Sequence, residues 1–267
     1  MSKVLLLDAG YVQFIEGWGS DERIVEAARM STDKGFLGWG VPGKPKDERL
    51  LRHLYTKRHS SPFEMGGMVI EVKAPIFVFR EWHRHRTQSV NEMSARYVPL
   101  PDENYVPTLD RLLSGANTKT TNKQAQGTGR ELTADEAYEW LERLDQLYDN
   151  IEEVYQHGLR IGIPKELARI VLPVARYSKM RASANLRNWL GFLMLRQSSD
   201  AQYEIRVYAD AVSDLIRQNF PRTWELYEEE RLRATREQHS TRRGSLQKVA
   251  DRALGLYRSQ WSRLFRG

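Results

Sequence analysis

The stretch MVIEVKAPIFVFREWHRHR, from Met68 to Arg86, contains the change of period that decides the fold class. Met68, Ile70, Val72 and Ala74 fall on one side of an alternating pattern, and Val69, Glu71 and Lys73 on the other. That is the pattern of a half-buried strand. Pro75 fits the first turn of a helix, so the spacing predicts a short helix over Ile76–Arg86 directly after the strand. A strand running into an apolar helix anchors the arginines that follow on rigid structure.

Val4–Leu7 and Val12–Ile15 flank Asp8-Ala9-Gly10 and read as a hairpin or a strand with a turn. Ser20 is placed to cap a helix with Ile24, Val25 and Ala28 on one face, and Leu50, Leu51, Leu54 and Tyr55 keep helical spacing in a second. Between them, Gly35–Pro45 (GFLGWGVPGKP) is a loop. Ser114–Arg130 is polar and aperiodic, a second loop. Thr133 and Glu136 form a capping box for a long helix whose apolar positions include Ala137, Trp140, Leu144, Leu147, Ile151 and Val154, with Gly158 as its C-cap. Pro164 starts a short helix; Val174–Ala184 reads as a strand and Leu186–Gln197 as a helix. Ser199 with Gln202 is placed to cap the last long helix, which ends before Pro221. Trp140, Trp189 and Trp224 sit on apolar helical faces and are expected in the core.

The expected fold is therefore α/β of the α+β kind: one domain over residues 1–227, with a central mixed or antiparallel sheet flanked by long helices. Residues 228–267 are dominated by charge and read as a basic, helical C-terminal extension. No apolar run approaches the ~20 residues needed to span a bilayer, and MSKVLLLDAG lacks a signal-peptide pattern, so a cytoplasmic protein is expected. The 267 residues include no cysteine, which excludes disulfides, cysteine-bound zinc and a thiol nucleophile. No His and carboxylate spacing calls for a metal.

The net charge of +6 is compatible with nucleic acid or with small phosphorylated ligands. Arg80, Arg84, Arg86 and Arg96 cluster with His83 and His85, and among them lie Ser89, Asn91, Glu92 and Ser94. Guanidinium forks match phosphate and carboxylate oxygens two at a time. The bland alternative is a solvated basic face with Glu81 and Glu92 as partners. A nucleic-acid binder would interleave exposed aromatics, and only Trp82 and Tyr97 qualify. The tail, with REQHSTRRGSLQK, is the best support for that rival.

The motif then becomes specific. Arg84-His85-Arg86, seven further residues and Ser94 resemble the signature of flavin-dependent thymidylate synthases, inside a broader pattern with Asn91-Glu92 and Arg96-Tyr97. HSSPFE from His59 to Glu64, KAPIFVFREW from Lys73, Glu166–Pro173, Asn185-Leu-Arg187 and Leu195-Arg196 are similar to other blocks of that family, as is the loop around Lys119–Gln124. The resemblance covers roughly residues 20 to 227 in order.

It implies reductive methylation of dUMP to dTMP, with 5,10-methylenetetrahydrofolate as carbon donor, FAD carrying the hydride and NADPH as reductant. Cofactor positions would be Ser61, Arg84, His85, Arg86, Glu92, Asn185 and Arg187, with Ser31, His59 and Glu64 near the flavin. Those for dUMP would be Glu81, Arg84, Glu92, Ser94, Ala95, Arg96, Arg169 and Arg196, the last also catalytic in holding the uracil and favouring its ionised form. Ser94 is assigned to the phosphate, since no histidine is spaced to activate it. A homotetramer with sites between subunits is also implied; a membrane or nucleic-acid partner is not. A flavoprotein of other activity on the same fold is the remaining alternative. Glu81 stands where glutamine is common, Ala95 where glycine is frequent, Met65 where histidine is common, and Gly191 where a side chain often meets the flavin. A carboxylate at position 81 is costly beside a phosphate unless it turns to an arginine, and Ala95 is tolerable only at negative φ.

Overall fold

The computed structural model describes residues 3–41, 46–116, 131–234 and 236. In chain order the elements are β1 (Val4–Leu6), β2 (Gly10–Trp18), α1 (Asp21–Arg29), α2 (Asp47–Thr56), β3 (Gly67–Pro75), α3 (Ile76–Trp82), β4 (Ser89–Glu92), α4 (Leu109–Ala116), α5 (Ala134–Arg160), α6 (Lys165–Ala168), β5 (Tyr177–Asn185), α7 (Leu186–Arg196) and α8 (Tyr203–Asn219). Residues 221–234 are again helical, without a break at 228. The loop at Lys119–Gln124 and nearly all of the C-terminal extension lie outside the described residues.

The five strands form one antiparallel sheet in the order β1-β2-β3-β5-β4. The alternation at Met68–Ala74 has the expected result: Met68, Ile70, Val72 and Ala74 are all fully buried. Met180, Ala182 and Ala184 of β5 continue that face, and Val12 and Phe14 of β2 complete it. Trp82, Trp189, Phe192, Ile205, Tyr208, Val212 and Ile216 cover it from α3, α7 and α8. Each such aliphatic or aromatic side chain stabilises the fold by about 1.5–3 kcal/mol on burial. Pairing one covered face with a polar one is how an antiparallel sheet meets water.

Two junctions set the geometry of everything downstream. β3 turns into α3 at Pro75, and β5 turns into α7 at Asn185, whose side-chain oxygen accepts from the Asn188 amide as an N-cap. Because β3 and β5 are antiparallel, with Gly67 opposite Asn185 and Pro75 opposite Tyr177, the two helices start from opposite ends of neighbouring strands. They meet over the sheet, where the Trp82 and Phe192 rings lie 4.5 Å apart.

Several expectations are corrected. The helix predicted over Ile76–Arg86 stops at Trp82, since the chain must turn to lay Ser89–Glu92 beside β5 as an edge strand. That strand was not foreseen. Residues 114–116 extend α4 instead of opening the loop. The capping box at Thr133 and Glu136 is formed, but α5 runs past Gly158 to Arg160; Gly158 is packed inside, and the positive φ falls at Gly162. Ser199 does not cap α8, whose N-cap Gln202 makes no side-chain cap bond. Trp140 is 48% exposed, not in the core, whereas Trp189 and Trp224 are buried. Only Ala137, Tyr155 and Gly158 of α5 are fully buried; Leu141, Leu144, Tyr148 and Ile151 are half-buried, and Leu147 and Val154 face outward.

Candidate active site

The helix end at Trp82 places three expected residues in one cluster. Arg196, in the last turn of α7, donates from Nε to Nε2 of His85 at 2.9 Å. Its Nη1 donates to the Glu81 carboxylate at 2.7 Å and its Nη2 to the Glu81 backbone carbonyl at 2.8 Å. An imidazole nitrogen that accepts a hydrogen bond is unprotonated, so the ring is neutral with its proton on Nδ1. Burial, then the Arg196 cation, lowers the His85 pKa to about 4. The Glu81 carboxyl is raised by burial, with Arg196 opposing and the Glu204 charge adding to the rise.

The segment that follows is held from beneath. Trp82 Nε1 donates to the buried Gln88 side chain at 2.8 Å, and Asn188 donates to the Thr87 carbonyl at 3.1 Å. These contacts fix the turn that carries Arg84 and Arg86, whose side chains are exposed. Among the described residues neither guanidinium, nor that of Arg80, has an acidic partner. Of the carboxylates that a self-neutralised basic face would use, Glu81 is engaged with Arg196, and Glu92 lies 3.9 Å from the His83 ring nitrogen.

Beyond β4 the chain folds into a tight turn. The Met93 amide donates to the Lys179 carbonyl, and the Tyr97 and Val98 amides both donate to the Ser94 carbonyl. Ser94 Oγ accepts from the Arg96 amide at 3.3 Å. Ala95 is buried without positive φ, so alanine is accommodated there. Lys165 donates to the Tyr97 carbonyl at 2.9 Å, bringing α6 against this turn; Arg169, exposed, follows one turn later. Lys165 was not singled out from the sequence, and no motif marked it.

A third region is a pocket of about 270 Å³ between α2, the Ser61–Glu64 turn and α7, lined by Leu54, Tyr55, His59, Phe63, Arg187 and Leu190 among others. Arg187 pairs with Glu64 at 2.5 Å on its rim. Gly191 lines it too, with no atom within 4 Å of where a Cβ would stand. Ser61 is exposed in the turn below. Asn185 spends its oxygen on the helix cap. Ser31 sits in the Met30–Thr32 turn, its hydroxyl donating to the Ala28 carbonyl, and is not among the lining residues. Arg58, which also lines the pocket, was missed; its positive φ has no sequence signature in an arginine. Among the described residues no group of histidines and carboxylates could hold a metal ion, and no helix is long and apolar enough to cross a membrane.

The chain is similar to known proteins over most of its length. Residues 13–222 match the family model Thy1, described as thymidylate synthase complementing protein. A flavin-dependent thymidylate synthase of Anaplasma marginale is 38% identical over 264 residues, covering 97% of this chain and 87% of the relative. One of Thermus thermophilus is 38% identical over 224 residues, covering 84% and 77%. Among solved structures, a UMP/dUMP methylase, PolB from Streptomyces cacaoi, bound with 5-Br dUMP, superposes with a TM-score of 0.73 at 32% identity, covering 85% of this chain and 97% of that one.

Proposed function

This chain belongs to the Thy1 family of thymidylate synthase complementing proteins, and on that premise we propose that it converts dUMP to dTMP with 5,10-methylenetetrahydrofolate, FAD and NADPH. The observation that carries the reading is the pair of exposed guanidiniums, Arg84 and Arg86, without acidic partners among the described residues, beside an Arg196 already fixed in place.

Arg84 and Arg86, with Arg187 and the pocket over Gly191, suit a ligand that is anionic at one end and flat and apolar at the other, as FAD is. His85, Ser61, Asn185, Glu92, His59 and Glu64 complete that neighbourhood in the proposal. When bound, reduced FAD supplies the hydride that completes the methyl group, and NADPH restores it. Ser94, Arg96 and Arg169 bind the dUMP phosphate, the first two through a turn whose backbone is already closed. Arg196 presents its positive charge to the uracil and favours electron density at carbon 5, the atom that receives the one-carbon unit. The usual activation of the pyrimidine by a thiolate at carbon 6 is closed to a chain without cysteine.

The exposed stripe Trp140, Leu147, Val154 and Ile161, repeating every seven residues, supports assembly with sites shared between copies; a tetramer in the cytoplasm is proposed. A second reading is favoured by the PolB structure bound with 5-Br UMP: the ribonucleotide UMP as a further substrate. The test is to purify the protein, record its visible spectrum, and follow NADPH oxidation with folate and either dUMP or UMP. Yellow protein with dUMP-dependent oxidation is expected. A colourless preparation that takes up no FAD, or oxidation indifferent to nucleotide and folate, refutes the proposal.

A further inference from the structure

Arginine carries five N–H donors, and Arg196 commits three of them within the protein, to His85 and twice to Glu81. A long side chain left free would occupy many rotamers and lose that freedom on meeting a ligand. Here the guanidinium is held at both of its ends by groups in the last turn of α3 and just beyond it, with two donors left over. The clamp is discriminating in kind. Nε2 of a neutral imidazole can accept from Nε, whereas a protonated ring could not, and the Glu81 carboxylate balances the guanidinium charge at 2.7 Å. Neither partner is shared: no other donor reaches the Glu81 carboxylate or His85 Nε2 among the described residues.

We propose that Glu81 and His85 are positioning residues that hold Arg196 ready for the pyrimidine, so that Glu81, which the family resemblance sets among the dUMP positions, serves the nucleotide through Arg196. This rests on the reading of Arg196 as the residue on the uracil. A pre-set guanidinium meets the reacting ring without reorganising, which lowers the barrier more than it tightens substrate binding. Loss of Glu81 therefore falls on kcat. Glutamine at this position keeps an oxygen that accepts from Nη1, so it retains the clamp without the charge.

The experiment compares wild type, Glu81→Ala and Glu81→Gln as FAD-loaded proteins, in kcat and KM for dUMP, flavin absorbance, and the crystal structures of wild type and Glu81→Ala. Expected is a kcat lowered about ten- to hundredfold in Glu81→Ala, the scale of one charge-assisted hydrogen bond. KM and flavin content should stay within about threefold, Glu81→Gln should recover most of the rate, and the Arg196 guanidinium should leave its place in the alanine variant. Wild-type kcat in Glu81→Ala, a change in KM alone, loss of flavin, a glutamine variant as impaired as alanine, or an unmoved guanidinium each overturns it. Absence of dUMP-dependent turnover in the wild type refutes the proposed function instead. The two crystal structures then still decide whether Glu81 sets the position of Arg196.

Discussion

Arg196 meets Glu81 twice, once at its carboxylate and once at its backbone carbonyl, 2.7 and 2.8 Å away. The carbonyl belongs to the last turn of α3 and also accepts from the Arg84 amide at 3.3 Å; a cation there offsets the partial negative charge of the helix end. One side chain thus ties the ends of two helices that set out from opposite ends of neighbouring strands. It also answers how a carboxylate is tolerated beside a motif proposed to bind phosphate: it is turned to an arginine.

Replacing Arg196 with alanine should abolish most turnover, at least a hundredfold, while the protein still binds FAD. The unpaired Glu81 is half-buried and adds a destabilisation of about 1–3 kcal/mol. Activity and bound flavin measured on one preparation check this. Near-normal turnover would remove Arg196 from the mechanism.

His85 makes stability depend on pH. Its ordinary value of 6.5 is lowered to about 4 in the fold, by burial first and Arg196 second. Between those values the unfolded chain binds a proton that the folded chain refuses. Its contribution is therefore complete above about 6.5 and is lost as pH falls toward 4. His85→Gln keeps an acceptor for Arg196 Nε but does not titrate. The urea midpoint of the wild type should drop more steeply than that of the variant between pH 6.5 and 4. Parallel curves would mean that His85 is not the group responsible.

How much of this could be read in advance depends on which interactions are local. The strand at Met68–Ala74, the Ser20 cap and the capping box at Thr133 and Glu136 were legible because each depends on residues a few positions apart. The edge strand Ser89–Glu92 was not, since nothing in SVNE alternates; its existence depends on β5, some ninety residues later. Trp140 misled because an apolar helical stripe marks burial without saying by what, and here the described chain does not cover it. At the site, the arginine motif was legible as residue types. The bond from Arg196 to Glu81 and His85 spans more than a hundred residues and has no local signature.

Gly10, at the start of β2, should tolerate no side chain. A Cβ there would stand 2.0 Å from the Tyr208 hydroxyl and 2.9 Å from the carbonyl oxygens of Leu6 and Lys73. The hydroxyl is fixed by its own hydrogen bond to the Lys73 carbonyl. Gly10→Ala should cost about 1–3 kcal/mol by overpacking. Adding Tyr208→Phe removes the nearest atom and should recover part of the loss in a double-mutant cycle. Strict additivity of the two substitutions would mean that the clash lies with the backbone alone.

Gly191 offers the opposite case, and through it a check on the pocket. It lies inside α7, where glycine is less favourable than alanine by about 0.8–1 kcal/mol, and nothing obstructs an added methyl. In the flavin-free protein Gly191→Ala should therefore raise the melting temperature by about 2–4 °C. The same methyl points into the space proposed for the flavin, so part of that gain should vanish once FAD is bound, through a weaker ligand contribution to stability. Melting curves of both proteins with and without FAD separate the two effects. If FAD shifts the variant as far as it shifts the wild type, the isoalloxazine does not lie over Gly191, and the pocket between α2 and α7 serves some other part of the ligand or none.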